Sequence, residues 1–236
     1  MRFGFRVSYF EIIYISFPEA TNNRILVGMK TSPRHGLWFH LFDVLLNIVI
    51  IVGVVAVIRT FLVSPFQVEG NSMLSTLEHK EYIIINKLAY HIGSPNRGDV
   101  VVFRPPNDPK RPYVKRIMGV PGDRIVIENG VVFIRPEGSK ELVEIDEEYL
   151  NIKNVGKTFQ APPSSGNTDF ISYTVPEGHY FMLGDNRQGS LDSRSFRDES
   201  GDPIPYVEED NVLGKVWMVA LPISKIHALE PPLYDL

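Results

Sequence analysis

The run LFDVLLNIVIIVGVVAVIRTFLV, residues 41–63, leaves this chain few ways to fold. It has no polar face, so it does not suit an amphipathic core helix. Its cleanest part, Val44–Ile58, is broken only by Asn47. With its flanks it supplies the ~20 apolar residues that a helix needs to cross about 30 Å of hydrocarbon. Arg59 can snorkel to the far interface, and Trp38 and Phe39 suit the near headgroup region. Arg24, Lys30 and Arg34 precede the run, which predicts a cytoplasmic N-terminus. The following VSPFQVEG offers no small-x-small cleavage site and carries Pro65, so the helix is expected to stay attached. The expected organisation is a cytoplasmic segment 1–40, a single transmembrane helix 41–63 and an extracytoplasmic domain 64–236. FEIIYISF in the first segment is too short to span, and Met29 is the expected natural start.

Beyond Pro65 the pattern changes to short apolar stretches between turn residues. FQVE, EYIIINKL, DVVVFRP, YVKRIMGV, GHYFML and NVLGKVWMVAL are rich in Val, Ile, Tyr and Phe. DRIVIENGVVFIRP places Asn129-Gly130 between two such stretches, which predicts a hairpin with a type I′ turn. With 18 Gly and 18 Pro and no long amphipathic helix, the expected fold is mostly β: antiparallel sheets forming a partly closed barrel. Residues 136–177 are polar and weakly periodic, and read as a small inserted subdomain. The acidic run EIDEEY within them lacks metal-ligand spacing and reads as a solvated face.

Composition narrows the chemistry. There is no Cys, which removes disulfides, thiol catalysis and Cys-based metal sites, and none of the six His forms an HExxH-type pair. From Gln67 onward 18 Lys and Arg face 25 Asp and Glu, a poor balance for binding nucleic acid. Neither a metal nor a cofactor is expected.

Ser72, in EGNSMLSTL, is a nucleophile only where a base reaches it; otherwise it is a polar turn residue. Strand side chains alternate, so Tyr113, Lys115 and Ile117 share one face of PYVKRIM, and Val114, Arg116 and Met118 the other. A buried Lys115 would lose its proton readily and act as a base, whereas on an edge it is an ordinary surface lysine. The loop GDNRQGSLDSR, residues 184–194, is either solvated or a network of hydrogen-bonded charges.

Taken in order, PFQVEGNSM, RGDVVVFRPP, YVKRIMGVPGD and GDNRQGSLDSR resemble the conserved segments of bacterial type I signal peptidases, over about residues 44–222. The resemblance implies a membrane-bound serine endopeptidase that removes signal peptides from exported preproteins through a Ser–Lys dyad and an acyl-enzyme. It implies Ser72 as nucleophile, Lys115 as general base and Ser190 as the hydroxyl that orients the Lys115 amine. It also implies ion pairs Asp192–Arg194 and Asp185–Arg116, with Met73 and Tyr113 shaping the substrate pocket. The implied partners are preproteins with small residues at positions −1 and −3, the lipid bilayer and the export translocase, and no nucleic acid. The implied location is the inner or plasma membrane. Two positions depart from the family: Ser75 stands where many members have Pro, and Gly70 where some have a serine that helps bind the oxyanion. The Ser72 N–H is one expected oxyanion donor; a second stays open between Gly70, Asn71 and none. The rival readings are an inactive membrane-tethered peptide-binding module and a self-cleaving repressor protease. The apolar span and the lack of DNA-binding helices oppose the second.

Overall fold

The computed structural model describes residues 36–159 and 170–236. The chain parts into two compact units, Met1–Asn47 and Ile48–Leu236. Of the first, the described part is Gly36 and the opening turns of helix α1, Leu37–Val57; Arg24, Met29, Lys30 and Arg34 lie outside the described residues. At 1.5 Å per residue the 21 residues of α1 extend about 32 Å, and none is buried. The helix is long and apolar enough to cross a membrane. Asn47 Nδ2 donates to the Asp43 carbonyl at 2.8 Å, which satisfies the amide inside its own helix. The helix begins ahead of the apolar run, and α geometry stops at Val57. Ile58–Leu62 forms a π turn, and Val63 already opens a strand. Two carbonyls freed there find partners: Ser64 Oγ donates to Arg59 at 3.1 Å, and the Lys87 N–H to Leu62 at 2.9 Å.

The second unit is built on strands. In chain order they are β1 Val63–Gln67, β2 Tyr82–Asn86, β3 Val100–Phe103, β4 Tyr113–Gly119, β5 Arg124–Glu128 and β6 Val131–Arg135. They continue with β7 Val143–Glu144, β8 Phe170–Thr174, β9 His179–Leu183, β10 Val207–Glu208, β11 Val212–Leu221 and β12 His227–Ala228. An eight-stranded antiparallel sheet runs β1-β2-β11-β3-β4-β9-β10, with β12 beside β11. Among the described residues its outermost strands do not pair with each other, so the mostly β, partly closed architecture expected from the sequence is what forms. A smaller antiparallel sheet runs β7-β6-β5-β8. Its centre is the β5–β6 hairpin, in which Glu128 faces Val131 and both turn residues adopt positive φ, 50° at Asn129 and 82° at Gly130, as a type I′ turn requires.

The VVVF run of β3 explains how the large sheet is covered. Val100 and Val102 enter one apolar cluster, with Met73, Leu77, Ile83, Ile85 and Val216. Val101 and Phe103 enter another on the opposite face, with Ile117, Tyr180, Met182 and Phe196. A strand buried on both faces has no polar alternation to show, which is why it is continuous in the sequence. A third cluster joins Met118, Phe181 and Leu183 to Ile125, Ile127, Val132 and Ile134 of the hairpin. Ile145, Tyr173 and Val175 join that cluster from the described parts of 136–177, and β7 and β8 extend the hairpin's own sheet.

Candidate active site

Three chain segments converge where β4 leaves the cover of β9. The turn after β1 carries Ser72. It is closed by Leu74 N–H donating to the Asn71 carbonyl at 3.1 Å and Leu77 N–H to the Met73 carbonyl at 2.8 Å. Strand β4 carries Lys115 and Arg116. The loop after β9 carries Asp185 to Arg194, and it holds the Ser72 turn directly. The Asn186 N–H donates to the Ser72 carbonyl at 3.0 Å, and Asn186 Nδ2 to the Asn71 carbonyl at 3.0 Å. Gly184 makes this approach possible: a Cβ there would lie 2.5 Å from the Ser72 carbonyl oxygen and 2.2 Å from Ser190 Oγ.

Lys115 Nζ lies 2.7 Å from Ser72 Oγ and 2.8 Å from the Val114 carbonyl. Lys115 is 3% exposed, and Tyr113 on the same strand face sets its ring centroid 5.3 Å from Nζ. Burial lowers the amine to about 8, against the opposing pull of Asp192 and Asp185. At pH 7 an amine with that value is neutral in on the order of a tenth of molecules, against about four in ten thousand for a lysine in water. A neutral amine at this distance can accept the serine proton.

On the other face of β4, Arg116 binds Asp185 through Nε–Oδ1 at 3.0 Å and Nη2–Oδ2 at 2.7 Å, and donates from Nη1 to the Gly98 carbonyl at 2.8 Å. Asp185 also accepts a short hydrogen bond from Thr76 Oγ1, which links this pair to the Ser72 turn. Asp192 and Arg194 form a second bidentate pair, Nε–Oδ1 at 2.8 Å and Nη2–Oδ2 at 2.7 Å. Burial would raise the Asp192 carboxyl, but the Arg194 guanidinium outweighs it and holds the group below the ordinary carboxylate range. Asp192 accepts the Gly184 N–H at 3.0 Å, so this pair supports the glycine beneath Ser72.

Ser190 behaves differently from the role the resemblance implies. Its Oγ is buried and lies near Asp192, yet it completes no hydrogen bond; Lys115 Nζ uses the Val114 carbonyl instead. Met73 turns inward, 2% exposed, and joins the apolar cluster under the turn. Tyr113 is half-buried and packs against Phe103 and Phe196. The Gly70 N–H donates to His79 Nδ1 at 3.1 Å, so it is engaged, whereas among the described residues the Asn71 and Ser72 N–H groups donate to nothing. Ser75 has φ 103°, a conformation closed to proline, whose ring holds φ near −65°. The turn here takes a path that a Pro at this position would forbid.

Several residues of the site escaped the sequence reading. Arg187, 2% exposed, donates to Glu147 Oε2 at 2.9 Å, to Thr158 Oγ1 at 2.7 Å and to the Gly184 carbonyl at 3.1 Å. Tyr149 donates to Glu147 at 2.8 Å and covers the Arg116 guanidinium, 3.8 Å from ring centroid to Cζ. EIDEEY is therefore not a solvated face throughout, because Glu147 and Tyr149 turn inward to satisfy two buried guanidinium groups. A carboxylate two residues from an inward aromatic was the available signal. Among the described residues no cluster of three or more His, Asp or Glu could hold a metal ion.

A family model described as signal peptidase, peptidase S26, matches residues 41–221. The chain is 35% identical over 199 residues to signal peptidase I of Pseudomonas fluorescens, covering 70% of this chain and 68% of that one. It is 32% identical over 199 residues to signal peptidase IB of Staphylococcus aureus, covering 81% and 95%. With signal peptidase I of Bacillus caldolyticus the identity is 38% over 172 residues, covering 70% and 83%. A crystal structure of a signal peptidase I from Enterococcus faecalis aligns over 52% of this chain and 97% of that one, at 27% identity and a TM-score of 0.37.

Proposed function

This chain belongs to the signal peptidase family, peptidase S26, and is a serine endopeptidase; from that premise we propose that it cuts signal peptides from preproteins with Ser72 and Lys115 as a dyad. The observation that carries the proposal is the 2.7 Å approach of a buried Lys115 amine, lowered to about 8, to Ser72 Oγ. Neutral Lys115 takes the Ser72 proton as Oγ attacks the scissile carbonyl. The oxyanion that forms meets the free N–H groups of Ser72 and Asn71, with Gly70 held apart by His79. Protonated Lys115 then gives its proton to the leaving amine, which departs as the new N-terminus of the mature protein. The ester left on Ser72 is hydrolysed by a water that Lys115 deprotonates, and Ser72 recovers its proton.

The substrate enters as a strand. Strand β9 pairs with β4 only from Arg116 onward, so among the described residues the β4 edge at Tyr113–Lys115 has no neighbouring strand on that side. An extended peptide added there presents alternate side chains to the site, which puts positions −1 and −3, the ones expected to be small, on the same face. α1 anchors the enzyme as a single span with its N-terminus in the cytoplasm, so the catalytic unit works outside, on chains delivered through the bilayer by the export translocase.

The test is cleavage of a purified preprotein bearing Ala-x-Ala before its junction. The wild-type protein is expected to release a mature chain starting at that junction, and Ser72→Ala and Lys115→Ala are expected to release none. Cleavage by Ser72→Ala, or peptide binding by the wild type with no cleavage, contradicts the proposal.

A further inference from the structure

We infer that Tyr149, in the segment between β7 and β8, is a positioning residue that holds the nucleophile turn and the base strand in register. The inference rests on the dyad reading and assigns the segment 136–177 a part in it.

One residue here touches all three converging segments. The Tyr149 ring covers the guanidinium of Arg116, which is the next residue after Lys115 on β4. Its hydroxyl donates to Glu147 Oε1 at 2.8 Å and receives Arg187 Nη2, from the loop after β9, at 3.3 Å. Its backbone carbonyl accepts Ser75 Oγ, from the Ser72 turn, at 3.3 Å. The hydroxyl also lies 3.2 Å from that of Tyr234; its one hydrogen serves Glu147, so Tyr234 is the donor.

The ring and the hydroxyl of Tyr149 do separate work. Arg116 spends its edges on Asp185 and the Gly98 carbonyl, which leaves the flat face of a buried cation to be covered. An aromatic ring does this with an attractive π surface, whereas an aliphatic side chain would fill the space without attraction. Burial pushes the Tyr149 hydroxyl well above its ordinary value, so it remains a donor to Glu147. The consequence for the reaction is geometric. Arg116 and Asp185 connect β4 to Thr76 on the Ser72 turn, so tilting Arg116 moves Lys115 and Ser72 relative to each other. Misplacing reacting groups by about 1 Å costs on the order of 100-fold in rate.

The test is a series on the full-length protein in detergent: wild type, Tyr149→Phe, Tyr149→Leu, Tyr149→Met and Ser72→Ala. Steady-state constants on a preprotein are expressed per active site titrated with a serine-directed acylating reagent, so loss of folded protein does not count as loss of rate. Tyr149→Leu and Tyr149→Met are expected to lower kcat about 10- to 100-fold with KM changed less than about two-fold, and Tyr149→Phe to restore kcat to within about three-fold. The Met variant, with its more adaptable side chain, reports on the same question where Leu costs the fold. Unchanged kcat per titrated site in the Leu or Met variant overturns the inference, as does a Phe variant no better than Leu. Ser72→Ala separates the two levels: its inactivity beside an unchanged Leu variant removes Tyr149 alone, whereas its activity removes the dyad.

Discussion

Arg116 grips Asp185 with two parallel hydrogen bonds, at 3.0 and 2.7 Å, in a setting where the side chains are 3% and 0% exposed. Removing one partner of such a pair strands the other as a buried charge. Asp185→Ala is therefore expected to cost about 3–5 kcal/mol, read as a loss of unfolding free energy in denaturant titration. The Gly98 carbonyl and the Tyr149 ring remain to Arg116 but supply no compensating charge. A loss below about 1 kcal/mol would mean that water reaches the guanidinium.

Ser190 carries the opposite expectation for stability. Its Oγ is buried with no completed hydrogen bond, and an unsatisfied buried hydroxyl costs about 1–3 kcal/mol. Ser190→Ala should raise the melting temperature. The orienting role proposed for Ser190 predicts that the variant also loses kcat by about 10-fold with little change in KM. A variant both more stable and fully active would remove Ser190 from the reaction.

The turn that holds Ser72 stores strain at Ser75. A φ of 103° favours glycine, and other residues held in such regions cost on the order of 1–3 kcal/mol. Ser75→Gly relieves that and loses a 3.3 Å hydrogen bond to the Tyr149 carbonyl. The net expectation is a melting temperature equal to or above wild type. Ser75→Pro should unfold the turn and abolish cleavage. A stable, active Pro variant would show that the turn follows another path.

Lys115 itself opposes folding. Its folded value of about 8 is below that of a lysine in water, ~10.4, so between these pH values the unfolded chain binds more protons and stability rises with pH. Below about 8 the full penalty applies, on the order of 3 kcal/mol. Above ~10.4 it is gone. Lys115→Met, which keeps an apolar stem and no charge, should melt higher than wild type at pH 7 and be inactive. The difference should shrink at alkaline pH. A Met variant no more stable than wild type at pH 7 would identify Lys115 as an ordinary hydrated lysine.

The parts of this structure that were legible in the sequence rest on local physics. Asn129-Gly130 dictates its turn through backbone conformation alone, and the VVVF and YIIIN runs declare strands through side-chain shape. Lys115 could be placed on a face with Tyr113 and Ile117 by counting residues. What could not be read is which charges meet across the fold. Glu147 and Arg187 are 40 residues apart, and the acidic run around Glu147 has the composition of a solvated face until a buried guanidinium is set against it. The same holds for Gly184, whose missing side chain matters only because the Ser72 carbonyl is folded against it. Ser190 depends on hydroxyl orientation, which no spacing rule encodes. The C-terminal end of α1 lies short of the end of the apolar run, where the carbonyls of Arg59 and Leu62 find partners in Ser64 and Lys87 outside it.

The dyad is tested most directly by the pH dependence of kcat/KM for preprotein cleavage by the wild-type enzyme, a quantity that reports ionisations of the free enzyme. Lys115 must lose its proton to serve as base, and its amine stands at about 8. The rate constant should therefore climb roughly tenfold per pH unit in acid and neutral solution, bend near pH 8 and level off above it, with the folded state intact throughout. A profile flat from about pH 6 to about pH 9, or one that levels off near the ~6.5 of an ordinary histidine, would contradict Lys115 as the base.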